Sequence, residues 1–412
     1  MMNKFSKNNT FIIRLYHIIF IPLFFYGCSS SSETKSGELD IPLEGAVTKE
    51  KSEEKKADAK KETPPVLAMP PTAAEMFKWQ SYFKPEPNMD ERRLIARKIE
   101  EWKKADSPEI LLKRAKNQMA LSQIAAAEAS YIELLRQQPE NLDALLDMAS
   151  LYLRKRQIER AFDYLTQTKK SMNALENVPK TVKFKYRYTL SLALLARGER
   201  KEAHKILSDL IAADKEFTPG YATLASSYLA SDKLDSAEFI ARRGMDRGKP
   251  DPRLTNILAI ISYKKGDYIT TRRQINQTLD MDPNFTPALI NRANLSIIHE
   301  GYDAAESDLK KVIELSPDSV EAYILLGIVQ KKTGRFESAE LSFSKAIELN
   351  PESAFARFNL AILMADSLGK PGPALRLFHE VIQTSENNDE IKQLAKIHIE
   401  GIRENRLMQE NL

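Results

Sequence analysis

Five histidines, one cysteine and a large set of carboxylates are the side chains here that could hold a metal, attack a carbonyl or move a proton. The histidines are His17, His204, His299, His379 and His398, and no two of them stand at metal-ligand spacing. His299-Glu300 would begin a zinc-binding helix only if a second imidazole followed one turn later on the same face. The residue four places after His299 is Asp303, and no further ligand is evident. Cys28 is the only thiol, which excludes an intramolecular disulfide, and no Cys-His arrangement accompanies it. Paired carboxylates such as Asp303 and Glu306 could serve general acid–base chemistry, yet their helical spacing predicts a solvated outer face. No glycine-rich phosphate loop or nucleophile elbow occurs. The expectation is a protein that is not an enzyme, with no cofactor and no metal site.

The elements that would have to position such residues are all of one kind. Pro283, Pro317 and Pro351 follow one another at intervals of 34 residues. At the same interval, Ala149, Ser191, Ala225, Ala259, Ala293, Gly327 and Ala361 fall at one register position, with an insertion of eight residues before Ser191. A second small-residue column runs Ala127, Ala161, Ala203, Ala237, Thr271, Ala305, Ala339 and, one place late, Ala374. Two such columns at a fixed offset require two helices pressed together where no large side chain fits. A fixed period of this length means stacked helical hairpins, each contacting mainly its neighbours.

The unit from Val320 carries the pattern most fully. Tyr323, Leu326 and Gly327 share one face of a first helix, Gly334 breaks it, and Ala339, Phe343 and Ala346 share one face of a second. Phe336 packs at the turn, and Pro351 ends the second helix because proline disfavours a helical residue before it. This succession resembles the tetratricopeptide repeat. The resemblance implies an all-α fold: a right-handed solenoid of about eight helix-turn-helix repeats over residues 108–388. Units are expected to start near Pro108, Leu142, Phe184, Thr218, Pro252, Thr286, Val320 and Ala354. Capping helices close both ends. One is expected over residues 90–104 with Leu94, Ile95, Ile99 and Trp102 inward. The other opens residues 389–412, with Ile391, Leu394, Ala395, Ile399 and Ile402 facing the last repeat. Departures from the pattern are Arg114 and Arg292 in place of Leu, Thr271 and Gly244 in place of Ala, a long connection at residues 173–183, and Lys370-Pro371-Gly372-Pro373 in the last turn.

In the tetratricopeptide family the first helices line a groove that binds other proteins. The resemblance carries that role to Tyr188, Asn256, Tyr263, Ile290, Asn294, Ile324, Ile328, Phe358 and Ile362, with Leu192, Ile260, Ile297 and Lys331 beside them. The stripe is apolar with scattered asparagines, suited to an amphipathic helix or an extended apolar segment. The family's lysine- and asparagine-built carboxylate clamp is not reproduced. Core packing is the competing role for these residues. If they face a partner, replacing Asn294 or Phe358 by Ala weakens capture and leaves melting unchanged.

Residues 1–27 form a different class of sequence. Lys4, Lys7 and Arg14 precede an apolar run from Ile18 to Tyr26, too short to span a bilayer comfortably, and then Gly27-Cys28. This resembles a bacterial lipoprotein signal, which implies lipidation of Cys28, although Phe25 and Tyr26 stand where Leu and a small residue are usual. Residues 28–67, rich in Ser, Lys, Glu and Pro, cannot bury enough apolar surface to offset ordering and read as a tether. Residues 68–107 hold both tryptophans and the cluster Phe77, Trp79, Tyr82 and Phe83, placed either to dock on the array or to meet a partner.

Lys plus Arg number 61 and Asp plus Glu 57, so outside the basic leader there is no field of the kind a nucleic-acid binder needs. The lipoprotein resemblance implies a scaffold of the bacterial envelope anchored through its lipid, and it favours outer-membrane retention because Ser29 stands where similar inner-membrane lipoproteins usually carry Asp. The scaffold's partners would be proteins of a motility, pilus or secretion machine. An adaptor for a cell-wall enzyme is an alternative. So is a periplasmic glycan- or ligand-binding protein, for which Tyr188, Tyr263 and Phe358 are the candidate sugar platforms.

Overall fold

The computed structural model describes residues 89–103, 106–248, 250–384 and 389–410. The leader, Cys28, the tether and the aromatic cluster of residues 77–83 lie outside the described residues. Among the described residues every regular element is helical. A leading helix, α1 (Met89–Glu101), is followed by eight hairpins. These are α2 (Pro108–Ala120) with α3 (Ile124–Gln137), α4 (Leu142–Arg154) with α5 (Ile158–Ala174), α6 (Lys180–Arg197) with α7 (Arg200–Ala213), and α8 (Thr218–Ala230) with α9 (Leu234–Arg247). The array continues with α10 (Pro252–Lys264) and α11 (Tyr268–Met281), α12 (Thr286–Ile298) and α13 (Tyr302–Leu315), and α14 (Val320–Lys332) and α15 (Phe336–Leu349). It finishes with α16 (Ala354–Ile362) and α17 (Pro371–Thr384), and α18 (Asp389–Glu410) follows.

The local chemistry explains the boundaries. Pro108, Pro219, Pro252 and Pro287 stand in first turns, where a missing N–H costs nothing. Asn141, Ser319 and Ser353 accept a hydrogen bond from the backbone N–H three residues on, capping α4, α14 and α16. The turn inside each hairpin needs one residue with left-handed backbone. Gly198, Gly266 and Gly334 supply it at no steric cost, whereas Ser122, Arg156, Asp232 and Glu300 adopt positive φ at the same register position.

Both small-residue columns are buried to completion where the paired helices cross: Ala149, Ala225, Ala259, Ala293, Ala127, Ala161, Ala203, Ala237, Ala305 and Ala339 are all inaccessible. The departures are compensated locally. A Cβ on Gly244 would lie 2.6 Å from Tyr221 Cβ, so glycine there permits a closer approach than Ala would. Thr271 donates its hydroxyl to the Asp267 carbonyl at 2.7 Å, satisfying a group that is otherwise sealed. Arg292 makes two bonds, 2.8 and 2.7 Å, to the Asp308 carboxylate across its hairpin. Arg114 at the equivalent place reaches Ser130 and the carbonyls of Trp102 and Lys103.

A further hydrogen bond recurs across hairpins between residues twelve apart. Gln118 pairs with Ser130 at 2.8 Å, Ser262 with Gln274 at 2.9 Å, and Gln330 with Ser342 at 2.7 Å. Between hairpins, Glu128, Glu238, Glu306 and Glu340 occupy one register position of the second helices. They reach Lys155, Lys265, Arg335 and Lys370 of the following turn. Glu306, expected on a solvated face, is mostly covered and held by Arg335 and Lys310.

Three sequence expectations change. Leu94 points to solvent, 52% exposed, while Ile95, Ile99 and Trp102 are half-buried, and α1 ends at Glu101. A helix packed on one neighbour buries a narrow stripe, and Leu94 falls beside it. The insertion near residues 173–183 is taken up mainly by helix: α5 runs 17 residues and α6 runs 18, so a short link joins them. In the last unit, α16 passes into a π-helical turn, Leu363–Ser367, and Pro371 begins α17 instead of lying in a loop. The closing helix behaves as expected, with Ile391, Leu394, Ala395 and Ile399 buried and Ile402 half-buried.

Candidate protein-binding surface

The first helices of successive hairpins form one wall, and the sequence placed the binding residues there. Eight of the nine site residues, Tyr188, Asn256, Tyr263, Ile290, Asn294, Ile324, Phe358 and Ile362, are buried, none more than 7% exposed. Only Ile328 is half-buried. Their partners lie inside the array. The hydroxyls of Tyr188 and Thr223 share a hydrogen bond of 2.9 Å across two units. The Asn291 side-chain amide donates to Asn256 Oδ1 at 2.9 Å, again between units. Phe358 meets Phe378 edge-on at 5.5 Å and His398 at 5.6 Å, sealed between its own hairpin and α18. These side chains are packing groups at the joints between repeats, because neighbouring first helices approach closely enough to cover the positions that the resemblance assigned to a groove. The same burial removes Tyr188, Tyr263 and Phe358 as platforms for a sugar ring.

The wall reopens towards both ends of the array. In the first three units Leu112, Lys116, Met119, Asp143, Ser150, Lys185 and Leu195 keep part of their surface. A charged lattice organises this stretch. Lys185 Nζ lies 3.2 Å from Asp143 Oδ1 and 3.0 Å from Asp147 Oδ1, so one ammonium on α6 serves two carboxylates on α4. Lys116 Nζ on α2 stands 3.9 and 4.0 Å from the other oxygens of the same two residues. The Tyr131 hydroxyl donates to Asp147 Oδ2 at 3.1 Å. Burial pushes the Asp147 carboxyl above its usual range against the pull of Lys185. Asp143 is less deeply placed; burial raises it, but Lys185 and Lys116 together outweigh that and hold it below the carboxylate range. Burial also lowers the Lys116 ammonium, which Asp143 opposes. Three successive first helices thus present alternating charge, with Lys116 and Asp143 still open to solvent. Sequence reasoning missed this lattice. Its signal was charged residues at the second, sixth and ninth places of the first three units.

At the other end, Glu321, Ile328, Lys331 and Phe355 are half-buried. Burial pulls the Lys331 ammonium down to about 8, with Asp366 of the π-helical turn acting against it. Irregular helical turns of this kind recur at functional sites. Among the described residues no group of three or more His, Cys, Asp or Glu could hold a metal ion, and no helix is long and apolar enough to cross a membrane.

Two tetratricopeptide-repeat family profiles match, over residues 112–171 and 299–358, that is, the first two units and the seventh with its neighbours. A profile for anaphase-promoting complex subunit 5 matches residues 155–218. With the 34-residue period, the paired helices and the small-residue crossings in place, the architecture is decided. The array is a tetratricopeptide-repeat solenoid.

Several known proteins resemble the chain at low identity. The Cut9–Hcn1 hetero-tetramer of the APC/C is similar with a TM-score of 0.54 at 15% identity, covering 79% of this chain and 61% of that one. A tetratricopeptide repeat protein from Parabacteroides merdae is similar at 18% identity with a TM-score of 0.43, over 62% of this chain and 98% of its own. A BBSome complex member BBS4 homolog of Drosophila melanogaster is 23% identical over 54% of the chain, which spans only 45% of that protein. The tetratricopeptide fold is a protein–protein interaction scaffold, and that is the coarse function of this array.

Proposed function

We propose that the chain is a lipid-anchored tetratricopeptide scaffold of the bacterial cell envelope, held at the outer membrane and facing the periplasm. It gathers protein partners of a motility, pilus or secretion machine. The observation that carries the anchor is Cys28: the only thiol stands directly after Gly27, behind a basic start and an apolar run, ahead of a polar stretch. One acyl chain binds a membrane marginally and reversibly, so firm retention takes two or more chains on that residue and its amine. A partner segment lies on the open wall of the first three units, where Lys116 and Asp143 offer it one charge of each sign and Leu112 and Met119 offer apolar surface.

Two measurements test this. Alkyne fatty-acid labelling is expected to mark the wild-type protein and leave Cys28→Ser unmarked and released from the membrane fraction; labelling of the variant overturns the anchor. Cross-linking in intact cells followed by mass spectrometry is expected to recover envelope proteins, and Lys116→Gln with Asp143→Asn is expected to lose them. Unaltered recovery by the folded double variant moves the binding surface away from the first three units.

A further inference from the structure

The solvent face of α9 carries a feature that neither the repeat pattern nor the packing uses. Phe239 stands 49% exposed in the middle of a charged helix. It lines an open recess of about 740 Å³ together with Lys215, Glu216, Arg242, Arg243, Asp246 and Arg247. Arg242 is committed to Glu238, one turn back, at 2.7 Å. Arg243 lies over the Phe239 ring, 5.8 Å from its centre, and has no carboxylate partner among the described residues. Lys215 and Arg247 likewise have none. Three unpaired cations therefore surround an exposed aromatic ring, on the face of the second helices and away from the wall of first helices.

The spacing is regular. Phe239, Arg243 and Arg247 are four residues apart and form one stripe, about 6 Å per step at 1.5 Å per residue. Two residues of an extended peptide span about 6.5–7 Å and point to the same side. An apolar side chain on the Phe239 ring would thus bring carboxylates two and four residues later over Arg243 and Arg247. Guanidinium groups recognise carboxylates bidentately, and stacking on the ring keeps Arg243 in place for it.

We propose that this recess is a second docking surface of the scaffold, for an extended acidic segment of a partner protein with the pattern apolar-x-acidic-x-acidic. Glu216 and Asp246 rim the same recess and break up its positive field, which disfavours a polyphosphate backbone and suits discrete carboxylates. The proposal stands independently of the lipid anchor and of the wall of the first three units.

The test uses the full chain and a labelled peptide with one leucine followed at the second and fourth places by aspartates. Fluorescence anisotropy is expected to show binding that weakens as salt rises. Arg243→Glu with Arg247→Glu is expected to weaken it at least tenfold, and Phe239→Ala several-fold. Reversal of an exposed cation elsewhere, Lys201→Glu, is expected to leave it unchanged. Circular dichroism of each variant checks folding. Absence of binding up to millimolar peptide, equal binding of a peptide with lysines at the acidic places, or equal binding by the double variant overturns the proposal. So does tighter binding of a single-stranded oligonucleotide of matched charge.

Discussion

Replacing Gly327 by Ala sets two effects of known sign against each other. Alanine is favoured over glycine inside a helix by about 1 kcal/mol, so on α14 alone the change would stabilise. The packing opposes it. A Cβ at this position would lie 2.6 Å from Phe343 Cε1 and 2.8 Å from Cδ1 and Cζ. Carbon atoms rest at about 3.5–4.0 Å, so the ring would have to retreat by roughly 1 Å. It has nowhere to go, because Phe343 is fully buried among Ile324, Ala346, Ala356, Leu360 and Leu363. Overpacking of this kind costs about 1–3 kcal/mol, which leaves a net loss of up to about 2 kcal/mol. Gly401 on α18 meets nothing within 4 Å, so Gly401→Ala reports the propensity gain alone. Urea melts followed at the helical dichroism band, with hydrogen exchange localised to α14 and α15, measure both variants. Adding Phe343→Leu to Gly327→Ala is expected to recover part of the loss. If Gly327→Ala is as stabilising as Gly401→Ala, the crossing of these helices is looser than described and the reasoning fails.

Phe358→Ala is expected to destabilise the last unit by about 3–5 kcal/mol, as loss of a sealed aromatic ring does, and a melt unchanged by it would return the residue to the surface. Hydrogen bonds from Arg335 and Lys310 hold the Glu306 carboxyl down to about 2. Its stabilising contribution is therefore complete above about pH 4.5 and lost as pH falls through about 2, so Glu306→Gln should be less stable than wild type at neutral pH, with the difference shrinking steadily between about pH 4.5 and 2 in denaturant titrations. The His398 imidazole is held below its usual range, first by burial between Phe358 and Phe378 and then by Lys331, with Asp366 opposing. The docked helix thus excludes a proton that the undocked one takes up, and docking of α18 should weaken as pH falls below about 6.5. Proteolytic nicking of α18 measured at pH 7.5 and 5.5 checks this, and His398→Gln showing the same acid sensitivity would refute it.

The sequence by itself determined the kind of element, the number of hairpins and most of their starts. Proline in the first turn, proline after the second helix and two columns of small residues are local constraints: each acts through the backbone or through the one helix pair it belongs to. The unit starts at Leu142, Thr218, Pro252, Thr286, Val320 and Ala354 coincide with helix starts for that reason. The turn position declared itself in Gly334, and the structure puts Gly198 and Gly266 at the same register, although Arg156 and Glu300 show that the array can impose the same left-handed backbone on residues that do not favour it.

Tertiary structure alone decided which face of the first helices is open. Asn256, Asn294 and Phe358 have the types and register of groove residues, but exposure depends on how closely the next unit is set down, and no property of a single hairpin specifies that. The pairing of Asn291 with Asn256 and the bridge from Lys185 to Asp143 and Asp147 join residues of different units, and the contact of Phe358 with His398 joins the last unit to α18. Arg114 and Arg292 make the same point within a hairpin: read singly each is a charge in an apolar position, and only the approach of Ser130 and Asp308 from the second helix makes it a satisfied one. Periodicity is a sum over near neighbours and survives in one dimension, whereas burial is set by the distance between surfaces and exists only once the units are stacked.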